Sequence, residues 1–132
     1  AVQTNNIEMV RLLLANDGVN VNDTNSLGHT PLSIAITNTN EAIVRELLNK
    51  KGMDINAKHE SGQTPLILAI QKNNSKIAKL LIKADNIEIN SENSMGRTPL
   101  WYAMVVSKEL AQLLVDHGAI VNYRNKSGET ML

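Results

Sequence analysis

Cysteine and phenylalanine are both absent from this chain of 132 residues, which has a single tryptophan and two tyrosines. Without cysteine there is no disulfide framework and no thiolate chemistry, and the composition agrees with a reducing compartment. With Trp101, Tyr102 and Tyr123 as the only aromatic residues, a core of large rings is excluded. The apolar residues are Leu, Ile, Val and Ala, which suit tight packing of helix on helix. A charge excess is missing too: 13 Lys and Arg balance 13 Asp and Glu. Phosphate neutralisation drives nucleic-acid binding and needs a basic face, so nucleic acid is not expected as a partner. No apolar run reaches the roughly 20 residues of a membrane-spanning helix, and direct membrane insertion is not expected. The first residues, AVQTNNIEMV, lack the basic and apolar regions of a secretion signal.

What the chain has is repetition. Gly28-His29-Thr30-Pro31-Leu32 recurs as Gly62-Gln63-Thr64-Pro65-Leu66 and as Gly96-Arg97-Thr98-Pro99-Leu100, and then as Gly128-Glu129-Thr130-Met131-Leu132; the glycines step by 34, 34 and 32. Asn22, Asn56, Asn90 and Asn122 keep the same step, as do Ala35, Ala69 and Ala103. Each Thr-Pro reads as an N-cap followed by a first helical residue with pre-set φ, so each starts a short apolar helix. The small alanine lets neighbouring helices approach. A polar break follows at Thr39-Asn40, Asn73-Asn74 or Ser107-Lys108, and then a second helix with apolar residues at helical spacing, such as Ile77, Leu80 and Leu81. Gly18, Gly52, Asn86 and Gly118 close the second helices, because glycine and asparagine tolerate the left-handed conformation found there. A polar stretch with the make-up of a tight turn leads to the next Gly-x-Thr.

Gly-x-Thr-Pro-Leu, the alanine after it, the Val/Ile-x-x-Leu-Leu helix and the Val/Ile-Asn before the turn resemble the ankyrin repeat over essentially the whole chain. The resemblance implies an all-α fold: an ankyrin-repeat solenoid of stacked helix–turn–helix units with projecting β-turn or hairpin fingers. Residues 1–29 match a unit lacking its Thr-Pro-Leu start. Residues 30–63, 64–97 and 98–129 are complete units, and 130–132 begin another, all in one repeat domain. Ala1 falls inside a helix and Leu132 at the start of one. No polar capping unit is visible, so a longer array is expected.

Three departures stand out. The family usually has His after Thr-Pro-Leu, where this chain has Ser33, Ile67 and Trp101. The unit at 1–29 and the complete units 30–63 and 64–97 carry one residue over the usual 33 or so, before Gly18, Gly52 and Asn86, while the third complete unit, 98–129, is one short between Ala103 and Leu110 and needs a tighter turn between its helices. Asn5, Thr39 and Asn73 stand where the family often has Gly; Asn suits a left-handed residue better than Thr does.

No catalytic constellation is present. His29, His59 and His117 fall in separate units with no short metal-binding pair and read as solvated turn residues. There is no phosphate-binding glycine loop and no nucleophile elbow, and the acidic residues are scattered. No catalytic residue, metal or cofactor is expected, and the protein is expected not to be an enzyme. Lys76, Lys79 and Lys83, with Arg11 and Arg45, read as a solvated convex face, with an acidic partner or a membrane surface as the alternative.

The resemblance implies a protein partner, bound by finger tips and the exposed side of the first helices. By motif the finger residues include Leu27, His29, Lys58, Glu60, Gln63, Met95, Arg97 and Arg124. The first-helix residues are Ser33, Thr37, Asn38, Ile67, Gln71, Lys72, Trp101, Val105 and Val106. Leu27 and Met95 are apolar where a turn favours polar residues, and Met95, Arg97, Trp101 and Val105 form a candidate anchor. Trp101 is open to a second reading, as a filler packed against neighbouring units. Tyr102 is expected inward, and the repeated asparagines are expected to hydrogen-bond the finger backbone. The chain thus reads as a monomeric cytoplasmic scaffold for an unidentified protein. Alternatives are a recruiting arm of a larger enzyme or secreted effector, or the cytosolic arm of a membrane protein.

Overall fold

A computed structural model describes residues 29–49, 53–58 and 62–121. Six helices run in three pairs: α1 (Pro31–Thr37) with α2 (Glu41–Leu48), α3 (Pro65–Gln71) with α4 (Ser75–Ile82), and α5 (Pro99–Val106) with α6 (Lys108–Asp116). Each first helix starts as its sequence predicts. The hydroxyls of Thr30, Thr64 and Thr98 accept from the backbone N–H of Ser33, Ile67 and Trp101 at 3.1, 3.2 and 3.3 Å, and a proline follows each cap. In the first unit Ser33 returns the bond, accepting from the Thr30 N–H at 2.9 Å, so the pair closes a capping box. The second helices are capped by Asn40, Asn74 and Ser107, each accepting from the N–H three residues on.

The turns between paired helices explain the oddities of the polar breaks. Thr39 and Asn73 each sit at φ 53, one residue past the cap of α1 and α3. Their N–H groups donate to the carbonyls of Ile36 and Ile70, and the next residues donate to those of Ala35 and Ala69. This pair of hydrogen bonds is a Schellman closure, which satisfies carbonyls that a helix end otherwise leaves without partners. The third unit, one residue short here, does it differently. Ser107 alone joins the helices, serving as C-cap of α5 and N-cap of α6 in an extended conformation. The Schellman closure appears instead at the end of α6, where Gly118 stands at φ 102 and the N–H of Ala119 reaches the Leu114 carbonyl at 2.9 Å.

The helices stack in two layers. First helices α1, α3 and α5 pack in succession, second helices α2, α4 and α6 pack in succession, and each pair holds together internally. The core lies between the layers. Ala35, Ala69 and Ala103 are all buried, with Ile36, Ile70, Leu47, Leu81 and Leu114 around them. Each fully buried Leu or Ile contributes roughly 1.5–3 kcal/mol relative to exposure. No strand occurs among the described residues, so the stack is all-α, with turns projecting between units.

Two expectations are corrected. Ser33 and Ile67 are not on the open surface: they are 4% and 0% exposed. Ser33 is turned back onto Thr30 in the capping box, and Ile67 belongs to the hydrophobic core. The repeated asparagines also act elsewhere than expected. Asn56 donates through Nδ2 to the Asn86 carbonyl at 2.8 Å and accepts at Oδ1 from the Glu88 N–H at 2.9 Å. Asn90 makes the same pair one unit on, to the Gly118 carbonyl at 3.5 Å and from the Ile120 N–H at 3.0 Å. These amides hold the loop after the next unit's second helix, not their own finger. Asn22 and Asn122 lie outside the described residues, as do Asn5, Gly18 and Gly52.

Candidate functional site

The finger that leads into α5 is built around Asn93, which is buried. Its Oδ1 accepts from the N–H groups of Met95 and Arg97 at 2.9 and 3.1 Å, and its backbone N–H donates to the Arg97 carbonyl at 3.0 Å. The Gly96 N–H closes the turn onto the Asn93 carbonyl at 3.0 Å, with Gly96 at φ 75. Nδ2 of Asn93 reaches back to the Tyr102 hydroxyl at 2.8 Å and across to Gln63 Oε1 at 3.2 Å. One side chain therefore shapes the turn, ties it to α5 and links it to the preceding finger. Sequence reasoning missed Asn93. The available signal was its place three residues before the repeated glycine, shared by Asn25 and Asn125.

On this support Arg97 lies over Trp101, its guanidinium carbon 4.0 Å from the ring centroid, a cation–π stack. Trp101 meets Tyr102 edge to face, with centroids 5.0 Å apart and planes at 77°. Trp101 is half-buried and packs against the core, so the filler reading and the surface reading each describe one side of it. Tyr102 is buried, as expected.

Val105 lies one turn beyond Trp101 on the same face of α5 and is 74% exposed; Met95, at the finger tip, is 59% exposed. The equivalents of Val105 in the earlier units, Thr37 and Gln71, are exposed as well, but polar. Met104 and Val115 are exposed for a different reason. Their counterparts Ile36, Ile70 and Ile82 are buried, so Met104 and Val115 occupy positions that the other described units use for the core. Val105 is thus an apolar residue at a position that faces outward in every described unit.

The other expected site residues distribute unevenly. Lys58 is exposed and shares a cleft of about 470 Å³ with Met95, between two successive fingers that also supply Gly62 and Ser94. The fingers are close there: a Cβ on Gly62, itself at φ 75, would lie 2.9 Å from the Ser94 nitrogen. Gln63 is engaged within the chain, donating to Gln71 Oε1 at 3.1 Å as well as accepting from Asn93. His29 is half-buried just before α1, away from the Met95–Arg97 finger. Leu27, Glu60 and Arg124 lie outside the described residues.

Residues 1–93 match the family model for ankyrin repeats in three copies, and residues 95–126 match the model for a single ankyrin repeat. The chain belongs to the ankyrin-repeat family. No curated protein matches it. Ankyrin repeats are generally protein–protein interaction modules and typically non-catalytic. Among the described residues of this ankyrin array, no helix is long and apolar enough to cross a membrane, and no group of three His, Asp or Glu side chains could hold a metal ion.

The lysine stripe on the back of the ankyrin stack is partly neutralised. Lys79 pairs with Glu109 of the next unit at 2.7 Å, and Arg45 pairs with Glu41 at 2.7 Å on its own helix. The Lys79 hydrogen bond, and secondly its charge, holds the Glu109 carboxyl below its usual value. Lys76 and Lys83 are exposed there, and Arg11 lies outside the described residues.

Proposed function

We propose that this ankyrin array is a non-catalytic scaffold that binds a protein partner through its finger tips and the outward side of its first helices. Met95, Arg97, Trp101 and Val105 form the anchor, with Lys58 flanking it. The exposure of Val105 carries the reading. A valine open to water, where the other units present Thr37 and Gln71, adds apolar surface that the stack does not use. Trp and Arg are the residue types that most often dominate binding energy, and here they are stacked on each other at the edge of that surface. The boundaries 1–29, 30–63, 64–97, 98–129 and 130–132 are proposed with it, as one repeat domain. A cytoplasmic setting and a monomeric state fit this role.

The test uses a double variant, Met95→Ser with Val105→Ser. Both side chains are exposed, so the change in folding stability is expected within about 0.5 kcal/mol. Affinity capture with the intact chain should retain a partner that the double variant loses, with unchanged circular dichroism. Equal capture by both proteins would overturn the assignment of the surface.

A further inference from the structure

Among the described residues the exposed acidic side chains are unevenly distributed. Along the described fingers and first helices the charged side chains are Lys58, Lys72, Arg97 and Glu92. Glu92 is half-buried, so among the described residues the exposed charges on this side, Lys58 and Lys72, are positive, and Arg97 adds a half-buried one. The exposed acidic residues among the described ones lie elsewhere: Glu46, Glu109 and Asp116 on the second helices, in the other layer, and Asp54, Asp85 and Glu88 in the loops that follow those helices. A cationic surface that also exposes Met95 and Val105 is complementary to a segment carrying negative charge beside an apolar side chain.

Arg97 sharpens this. Its guanidinium is spread over the Trp101 ring with its centre 4.0 Å from the centroid. A guanidinium lying on an aromatic face keeps its N–H donors at its rim, available to a planar acceptor. Its backbone N–H is already held by Asn93 Oδ1 at 3.1 Å, so the residue is fixed at its base as well as along its plane. A carboxylate is the planar acceptor that matches this fork with two parallel bonds. Because the stack fixes the fork in advance, binding loses less side-chain entropy than a free arginine would.

We propose that the occupant of this surface is an acidic peptide segment of a partner protein. A carboxylate is taken by the Arg97 fork, an adjacent aliphatic side chain lies on Met95 and Val105, and further negative charge faces Lys58. The inference rests on the surface assignment above and adds the chemistry of what that surface receives.

A random-peptide display library selected against the full chain tests it. Enriched sequences should place Asp or Glu within a few residues of Leu, Ile, Val or Met. The most enriched peptide, synthesised with a fluorophore, is then titrated by anisotropy. Arg97→Gln should weaken its binding roughly ten- to hundredfold, as loss of a charge-assisted pair does. Arg97→Lys should restore only part of that, because an ammonium keeps the charge without the fork. Raising the salt should weaken the wild-type complex more than the Arg97→Gln complex. Lys76→Gln, on the opposite layer, should leave binding unchanged. Peptides without acidic residues that still depend on Met95 and Val105 would overturn the acidic chemistry and leave the surface standing. Peptides indifferent to Arg97, Met95 and Val105 alike would overturn both. A library that enriches nothing would overturn the peptide inference alone, since the capture experiment reads folded partners.

Discussion

At the scale of single residues, Thr39 is strained and Asn93 organises its surroundings. Thr39 holds φ 53 although its branched Cβ resists that conformation, whereas Asn73 occupies the equivalent place at the same φ with a side chain better suited to it. Thr39→Asn should therefore raise stability by about 1 kcal/mol, read as a higher urea midpoint with unchanged slope. No gain would mean that the strain is already relieved by the Schellman closure. Asn93 is the opposite case, since its amide makes every one of its bonds within the chain. Asn93→Ala should cost roughly 1–3 kcal/mol, because Tyr102 loses a buried hydroxyl partner and two finger N–H groups lose their acceptor. It should also loosen Arg97 from Trp101 and weaken partner binding. An Asn93→Ala variant that binds as well as the wild type would show that the turn is fixed by Gly96 alone.

At the scale of helices and turns, the sequence was most legible where the physics is local. Thr-Pro-Leu announces a cap and a fixed φ within a few residues, and all three first helices begin as read. The missing residue between Ala103 and Leu110 announced a tighter turn, and Ser107 supplies it. Ser33 and Ile67 were misplaced because Ser33 turns back into its own capping box and Ile67 joins a core shared between helices, neither of which helical periodicity encodes. Asn56 was recognised as structural but assigned to the wrong backbone, since its partners Asn86 and Glu88 lie 30 and 32 residues away. Trp101 and Met95 stood out as surface candidates because each departs from the residue type its repeat position favours, and Val105 joined them by its place on the same first helix. Asn56 also gives an element-scale prediction. Asn56→Ala should lower stability by about 1–2 kcal/mol and selectively speed hydrogen exchange at the Glu88 amide. Uniform acceleration across the chain would instead place the effect in global unfolding.

At the scale of the whole molecule, the main helix contacts run within a unit and between neighbours, so stability is close to a sum of unit and interface contributions. The Lys79–Glu109 pair is one interface contribution that pH can remove. Glu109 has a folded pKa below its ordinary value of 4.5, so its stabilisation is present above that ordinary value and lost as pH falls through the folded one. Wild type and Glu109→Gln should differ in melting temperature near neutral pH and converge in acid; a difference that persists at low pH would exclude the ion pair as its source. The scarcity of aromatic residues has a last consequence, through Trp101. It is the sole indole of the chain, set half in the core and half under Arg97 at the outward face of α5. Its emission is therefore an intrinsic optical signal of a single place, free of background from any other tryptophan. A blue shift on adding a partner would report that water has left this face, and a red shift in urea would time the unfolding of the third unit without any label.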